Sequence, residues 1–390
     1  MRVAFYAPLK SPTHPVPSGD RQIAQAFVRA LGLAGCEVEV ASNFRSFDGA
    51  GNGARQARLQ RIGARLAARL VRRMRALPIG RRPQAWFTYH LYHKAPDWLS
   101  PTVSRALGIP YIVAEASHST KQRFGPWREG YAASVAAIHE ANAVLSLNSD
   151  DVPGLRQLVP AERLHTLRPF LDLSCWTVPH DPAAVRSRLA EKYSIDREAC
   201  WLCCVAMMRH GRKADSYFLL SEALSQLDEE NWRVFIVGDG DARADIEAAF
   251  APHREKVVFT GRLEGLALRE CYVASDIFVW PALAEPLGMT FIEAQSLGLP
   301  VVAGRTRGVV DMVAENETGL LVEEGQAQPF AQTLSRLIWN DSLRTRLGEA
   351  ARPYVMRTHD VTAAATRLNE ILRTCVSAQP LVRNTAKEVR

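Results

Sequence analysis

A chain of 390 residues is long enough for about two domains, since single cores stop growing near roughly 250–300 residues, and its 47% hydrophobic content suits well-buried α/β cores. No apolar run reaches the roughly eighteen residues that a membrane-spanning helix needs, and Met1-Arg-Val-Ala-Phe-Tyr-Ala-Pro8 is broken by proline too soon for a signal peptide, so a cytoplasmic location is expected. The net charge of +7 is local: residues 54–82 hold ten arginines and no acid, and taking those ten from +7 leaves −3 for the rest.

The chain opens with a strand over Val3–Ala7, a polar loop rich in proline, and a helix marked by Ile23, Phe27 and Leu31. Val38–Ser42 is the next strand, so the order is βαβ and the sheet is expected to be parallel. Arg55, Arg58, Arg61, Arg65, Arg69 and Arg72 then recur every three or four residues, with Leu59, Ile62, Leu66, Leu70 and Leu77 on an adjacent face. Such a helix over 55–77 either packs on its own domain through the leucines or lies on an anionic membrane surface. No aromatic residue interleaves the arginines, so no nucleic-acid partner is expected. Strands follow at Ala85–His90 and Gly108–Ala114, the second ending in Glu115-Ala-Ser-His118. Open α/β sheets hold ligands at the carboxyl ends of their strands, which makes His118 the first candidate there, with His90, Lys94 and Glu115 behind it. Ala143–Leu147 is read as closing this sheet, and Val178–Pro182 as the linker between domains.

The second half repeats the pattern. Helix 184–192 and strand Trp201–Ala206 lead into a basic loop, Met207-Met-Arg209-His-Gly-Arg-Lys213, and a helix over Tyr217–Leu227. Arginine and lysine at that point can neutralise a diphosphate. Cys200-Trp-Leu-Cys203 has metal-site spacing, but it lies within an apolar run and has no second pair, so core packing is the reading adopted. The odd total of seven cysteines also speaks against a disulfide framework. Gly238-Asp-Gly240 lacks the third glycine of a dinucleotide fingerprint, and Asp239 with Asp241 is ordinary turn chemistry, so no metal is expected. Strand Ile277–Trp280 then feeds a loop carrying Glu285 and a helix starting near Pro286-Leu-Gly288, with Glu293 in its second turn. Backbone N–H groups at such a helix start seat an anion, and the two carboxylates can accept from sugar hydroxyls.

Glu285 and Glu293 in an E-x7-E arrangement, Gly298-Leu-Pro-Val-Val, the Gly308 loop with Asp311, and Thr318-Gly-Leu-Leu-Val together resemble the C-terminal signature of family 4 retaining glycosyltransferases. The resemblance implies the α/β GT-B fold, two doubly wound Rossmann-like domains facing across a cleft, and sugar transfer from a nucleotide-diphosphate donor to an acceptor. It implies no metal or other cofactor. The domains are expected at 1–178 and 183–356, with a helix near 357–375 returning to the first domain and a tail over 377–390. By the same resemblance Gly19, Arg209 and Lys213 meet the diphosphate, Arg262 and Leu263 lie against the base, and Glu293 holds the ribose. Glu285, with Leu287, Gly288, Met289 and Thr290, receives the sugar, and His118 faces it from the first domain. His90, Lys94 and Glu115 are expected on the acceptor side. The run Ala284-Glu285-Pro286 departs from the family's glycine-aromatic-glycine wording, which leaves the shape of the sugar pocket open. Two rivals remain: an epimerase or phosphorylase of the same fold, and a non-catalytic membrane- or polyanion-binding protein using the arginine helix.

Overall fold

The computed structural model describes residues 1–16, 18–177, 181–227 and 231–378. The chain divides into two units, one made of Met1–Arg168 with the chain from Val361 onward, the other of Pro169–Asp360. In the first, the strands are β1 (Arg2–Tyr6), β2 (Glu37–Ser42), β3 (Ala85–Leu91), β4 (Tyr111–Ala116), β5 (Ala143–Ser146) and β6 (Leu164–Thr166). Its helices are α1 (Gly19–Leu33), α2 (Gly53–Ala76), α3 (Ser100–Leu107), α4 (Arg128–Glu140) and α5 (Val152–Leu155). In the second, the strands are β7 (Cys200–Val205), β8 (Trp232–Val237), β9 (Val257–Gly261), β10 (Ile277–Trp280), β11 (Val301–Arg305) and β12 (Gly319–Glu323). The helices there are α6 (Pro182–Tyr193), α7 (Arg212–Leu224), α8 (Arg243–Ala249), α9 (Gly265–Ala274), α10 (Met289–Ser296), α11 (Val309–Met312), α12 (Ala327–Ile338) and α13 (Asp341–Thr358). The last helix, α14 (Val361–Ser377), packs on α1 in the first unit.

Both sheets are six-stranded and parallel throughout, in the orders β2-β1-β3-β4-β5-β6 and β12-β11-β10-β7-β8-β9. Strands covered by helices on both faces read as unbroken apolar runs, and Trp201–Cys204 and Ile277–Trp280 are at most 1% exposed. The winding direction reverses between β1 and β3 in one sheet and between β7 and β10 in the other. Loops on either side of such a reversal diverge and leave a crevice at the carboxyl ends of the strands.

Several expectations need correction. β5 does not close the first sheet, because the short strand β6 adds beyond it, pairing Val144 with Leu164. Three residues carry too little pattern to stand out in the sequence. The basic loop after β7 is shorter than expected: α7 begins at Arg212, after Gly211 at φ 82°, so Lys213 belongs to its first turn. Of the expected linker Val178–Pro182, residues 178–180 lie outside the described residues, as do 379–390 of the expected tail, while Asp181 caps α6 and Pro182 opens it. The cysteines of the C-x2-C are buried and free, and burial pushes the Cys200 thiol up to about 12. Among the described residues no helix is long and apolar enough to cross a membrane.

One clamp fixes the strands that flank the second reversal. Arg186 of α6 stacks over the Trp201 ring at 4.4 Å and donates to both oxygens of Asp276, at 3.0 and 3.1 Å, and to the carbonyls of Ala199 and Ala274. Asp276 also accepts from the Trp201 backbone N–H at 2.7 Å, which ties the start of β10 to β7. Asp276→Ala is therefore expected to cost about 2–3 kcal/mol, since it takes the carboxylate from a half-buried guanidinium that keeps only carbonyl partners and orphans a backbone donor, and urea unfolding measures this. Asp276→Asn, which keeps an acceptor oxygen, should lose less.

Candidate active site

The loop after β10 is pinned in an uncommon backbone path. Ala282 and Ala284 both have positive φ, 57° and 51°, a region that alanine enters only at a cost of about 1–2 kcal/mol. What holds them there is a set of outside partners. Leu283 N–H donates to Ser216 Oγ at 3.0 Å, Ala284 N–H to Glu324 Oε1 at 2.8 Å, and Thr306 Oγ1 to the Ala282 carbonyl at 3.0 Å. Gly308 closes the far side so tightly that a Cβ there would sit 2.1 Å from the Pro286 oxygen. The result aims the Glu285 side chain inward, toward α7.

There Glu285 meets Lys213. The Lys213 ammonium donates to Glu285 Oε2, and Trp280 Nε1–H donates to the same oxygen at 3.3 Å. The ammonium also lies 5.3 Å from the centre of the Trp280 ring. The Glu285 side chain is 8% exposed and that of Lys213 is 29% exposed, so the pair is reached from the lysine side. Arg209 stands exposed in the loop between β7 and α7, and among the described residues its guanidinium makes no hydrogen bond or ion pair. A fixed ammonium and an unengaged guanidinium after the same strand suit an anion with several oxygens.

α10 starts at Met289, directly after the expected Pro286-Leu-Gly288, with Gly288 as its N-cap and no side-chain cap. Gly288 must be small, because a Cβ would meet the Phe291 ring at 2.5 Å. Leu287 and Met289 pack on the core, and Thr290 lies half-buried in the first turn. Glu293 accepts from Tyr272 Oη at 3.0 Å, and burial pushes its carboxyl up to about 7 against the lowering effect of that hydrogen bond. Of the two residues expected near the base, Arg262 is exposed and paired with Glu264, while Leu263 packs on the core.

In the first unit the expected residues separate. His90 and Glu115 end adjacent strands, both at positive φ (62° and 54°), and His90 Nδ1 lies 4.0 Å from Glu115 Oε2. The same nitrogen is 3.0 Å from Asp20 Oδ1 in the first turn of α1. Burial lowers the His90 imidazole, but the charges of Glu115 and Asp20 outweigh it and the net direction is up. Burial raises Glu115; burial also acts to raise Asp20, but His90 brings it down overall. Asp20 was missed in the sequence, where it signals only a favourable first-turn acid after the N-cap Ser18. Lys94 does not join this cluster and lies over the Trp127 ring at 4.6 Å. His118 shares a 3.0 Å hydrogen bond with Tyr131 Oη, and burial lowers its imidazole. Gly19 opens α1 with no atom within 4 Å of where a Cβ would stand.

Comparisons with known proteins agree on one family. The family model "Glycosyl transferases group 1" matches residues 204–354. A sulfoquinovosyl transferase of Arabidopsis thaliana is 35% identical over 153 residues, which is 38% of this chain and 29% of that protein. An alpha-D-kanosaminyltransferase of Streptomyces kanamyceticus is 27% identical over 288 residues, covering 70% of this chain and 72% of the relative. The chain thus spans under a third of the first relative's length and about seven-tenths of the second's. Among solved structures, Anabaena HepE in complex with UDP-glucose aligns over 96% of this chain and all of its own, with a TM-score of 0.70 at 16% identity. WaaG, a glycosyltransferase involved in lipopolysaccharide biosynthesis, aligns over 95% of this chain and 99% of its own, at a TM-score of 0.65 and 18% identity. The chain therefore has the GT-B fold, and its residues 204–354 belong to the glycosyl transferases group 1 family.

Proposed function

We propose that the protein is a cytoplasmic, metal-independent retaining glycosyltransferase that moves a hexosyl group from a nucleotide-diphosphate sugar to an acceptor hydroxyl. The observation that carries this reading is the meeting of Lys213, Glu285 and Trp280 at the β7/β10 reversal, with Arg209 unengaged beside them and Glu293 on the next helix. Arg209 and Lys213 are assigned to the diphosphate, where negative charge grows as the sugar leaves. Glu293 is assigned to the ribose hydroxyls and Glu285 to the sugar. Because Glu285 is already engaged by an ammonium and an indole N–H, it suits fixed electrostatic positioning better than nucleophilic attack. Front-face substitution fits this arrangement: the acceptor oxygen forms its bond to the anomeric carbon as the bond to phosphate breaks, and the leaving phosphate oxygen takes the acceptor proton. His118 and Gly19 keep their donor roles, and His90 and Glu115 their acceptor-side role, from the family resemblance.

Thermal-shift titration against uridine, guanosine and adenosine diphosphate sugars tests the donor. UDP-glucose comes first, because the HepE structure holds it. A donor at a hundred times its Kd should add about 2.7 kcal/mol of stability and raise Tm by several degrees. If no nucleotide sugar moves Tm, the reading falls. With a donor in hand, product anomeric configuration by NMR and activity in EDTA check retention and metal independence. Donor turnover that needs no acceptor, or needs inorganic phosphate, would favour the epimerase or phosphorylase instead.

A further inference from the structure

Two strand ends and one helix start meet at His90 in the first unit. β3 lies between β1 and β4, so His90 near the end of β3 is brought beside Glu115 of β4 and beside Asp20 of α1, the helix that follows β1. Asp20 holds His90 Nδ1, and His90 Nε2 makes no hydrogen bond among the described residues. Charge there is out of balance. The leading charges on His90 are those of Glu115, Asp20 and Asp151, and one imidazole cannot neutralise three carboxylates. Lys10 acts on Asp20 and Arg45 on Tyr92, but Arg45 also donates to the Leu9 carbonyl and lies over the Phe47 ring.

Two polar atoms inside the cluster have no partner. Glu115 Oε2 is buried without a hydrogen bond, the nearest cation being His90 Nδ1 at 4.0 Å. Tyr89 is 1% exposed, and its Oη, in the field of Glu115 and Asp20, has no hydrogen-bond partner either. Buried polar atoms are nearly always paired, so these two mark a place that an outside group completes. The chemistry selects a cation. A phosphate would be repelled by the carboxylates, and a neutral hydroxyl would leave the excess charge in place. An ammonium group donates three hydrogen bonds, enough for Glu115, Tyr89 and Asp20, and cancels one carboxylate. The Tyr92 ring, centred 5.1 Å from the His90 ring, adds an aromatic face of the kind that attracts cations. Among the described residues no group of three His, Cys, Asp or Glu side chains is placed to hold a metal ion, which leaves an organic cation.

We propose that Asp20, Glu115 and Tyr89, with His90 and the Tyr92 ring, bind a protonated amino group of the acceptor, which makes the acceptor an amino sugar or a similar polyhydroxylated amine. The ligand's role as acceptor rests on the transferase reading above; the binding of an ammonium group does not. The full chain, without donor, is titrated with D-glucosamine, N-acetyl-D-glucosamine, D-glucose and D-glucose 6-phosphate, and saturation-transfer NMR reads each affinity. Glucosamine should bind at least about tenfold more tightly than glucose or the N-acetyl form, because only it carries the charge, and the phosphate should bind most weakly. Glu115→Gln should erase this preference. Tyr89→Phe should weaken glucosamine about threefold, and because it removes only an unpaired hydroxyl it still decides if the glutamine variant melts early. Equal affinity for glucosamine and glucose, tighter binding of the phosphate, no binding of any of the four, or a preference that survives both substitutions would each overturn the proposal. A nucleotide sugar that raises Tm, beside equal affinities for the four sugars, would remove the ammonium site and leave the transferase standing. A glucosamine preference with no nucleotide sugar bound would do the reverse.

Discussion

Lys213→Met is expected to lower kcat/KM by about a thousandfold and to destabilise the fold by about 2–4 kcal/mol. The activity loss follows from removing one fixed cation from a site where charge develops, which costs about 10²–10³ per group in comparable settings. The stability loss has a separate cause: methionine keeps the stem over Trp280 but leaves the Glu285 carboxylate, 8% exposed, with a single indole donor. Glu285→Ala should be as damaging to activity and milder for stability, because the Lys213 ammonium, 29% exposed, can turn to water. The double variant is the deciding measurement. It should be more stable than Lys213→Met alone while remaining inactive, since no buried charge is left without a partner. Urea unfolding of the four proteins, with transfer rates for the donor found by thermal shift, gives the cycle. A double variant no more stable than the lysine single variant would show that the pair carries no buried-charge cost.

Glu293→Gln is expected to stabilise the protein at pH 8 by up to about 3 kcal/mol and to leave stability at pH 4.5 nearly unchanged. Burial raises the folded carboxyl to about 7 from an ordinary value of 4.5. Between those two values the folded chain holds a proton that the unfolded chain has released, so stability falls as pH rises through this window and stays low above 7. Glutamine removes the titration while keeping an acceptor for Tyr272 Oη. The same substitution should weaken nucleotide binding about tenfold at pH 8, where the parent carboxylate is free to accept from ribose hydroxyls. In the parent, affinity should tighten between pH 6 and 8; in the glutamine variant it should stay flat. Calorimetric titration with UDP and thermal melts across pH measure both. Equal pH dependence in parent and variant would sink the assignment of Glu293.

Much of this site is legible in one dimension. The apolar run Ile277–Trp280, the loop with Glu285 and the helix with Glu293 occupy a single continuous stretch, and their spacing survives folding intact. Local chemistry decides such stretches, because a buried parallel strand needs an unbroken apolar run and a helix start needs small residues with backbone donors. The start of α7 was misplaced because Gly211 signals a break without saying on which side the helix lies. β6 escaped notice because three residues at a sheet edge need no hydrophobic signature.

The pairings were not legible. Lys213 meets Glu285 across 72 residues, and His90 meets Asp20 across 70, and no local pattern links either pair. Sheet order decides both, since β7 lies beside β10 and β1 beside β3, which brings the carboxyl ends of strands distant in sequence side by side. The arginine helix divides in the same way. Its charge row and leucine row are both written in the sequence, but only tertiary packing, which buries Ala67, Leu70 and Met74 of the helix in the core of the first unit, decided that this face turns inward and the arginine row faces water. By itself the sequence determined the strand-loop-helix stretch from Ile277 to Ser296 and the residue types it presents. The tertiary structure decided what each of those residues touches, because burial and charge pairing depend on neighbours that the chain brings together only by folding.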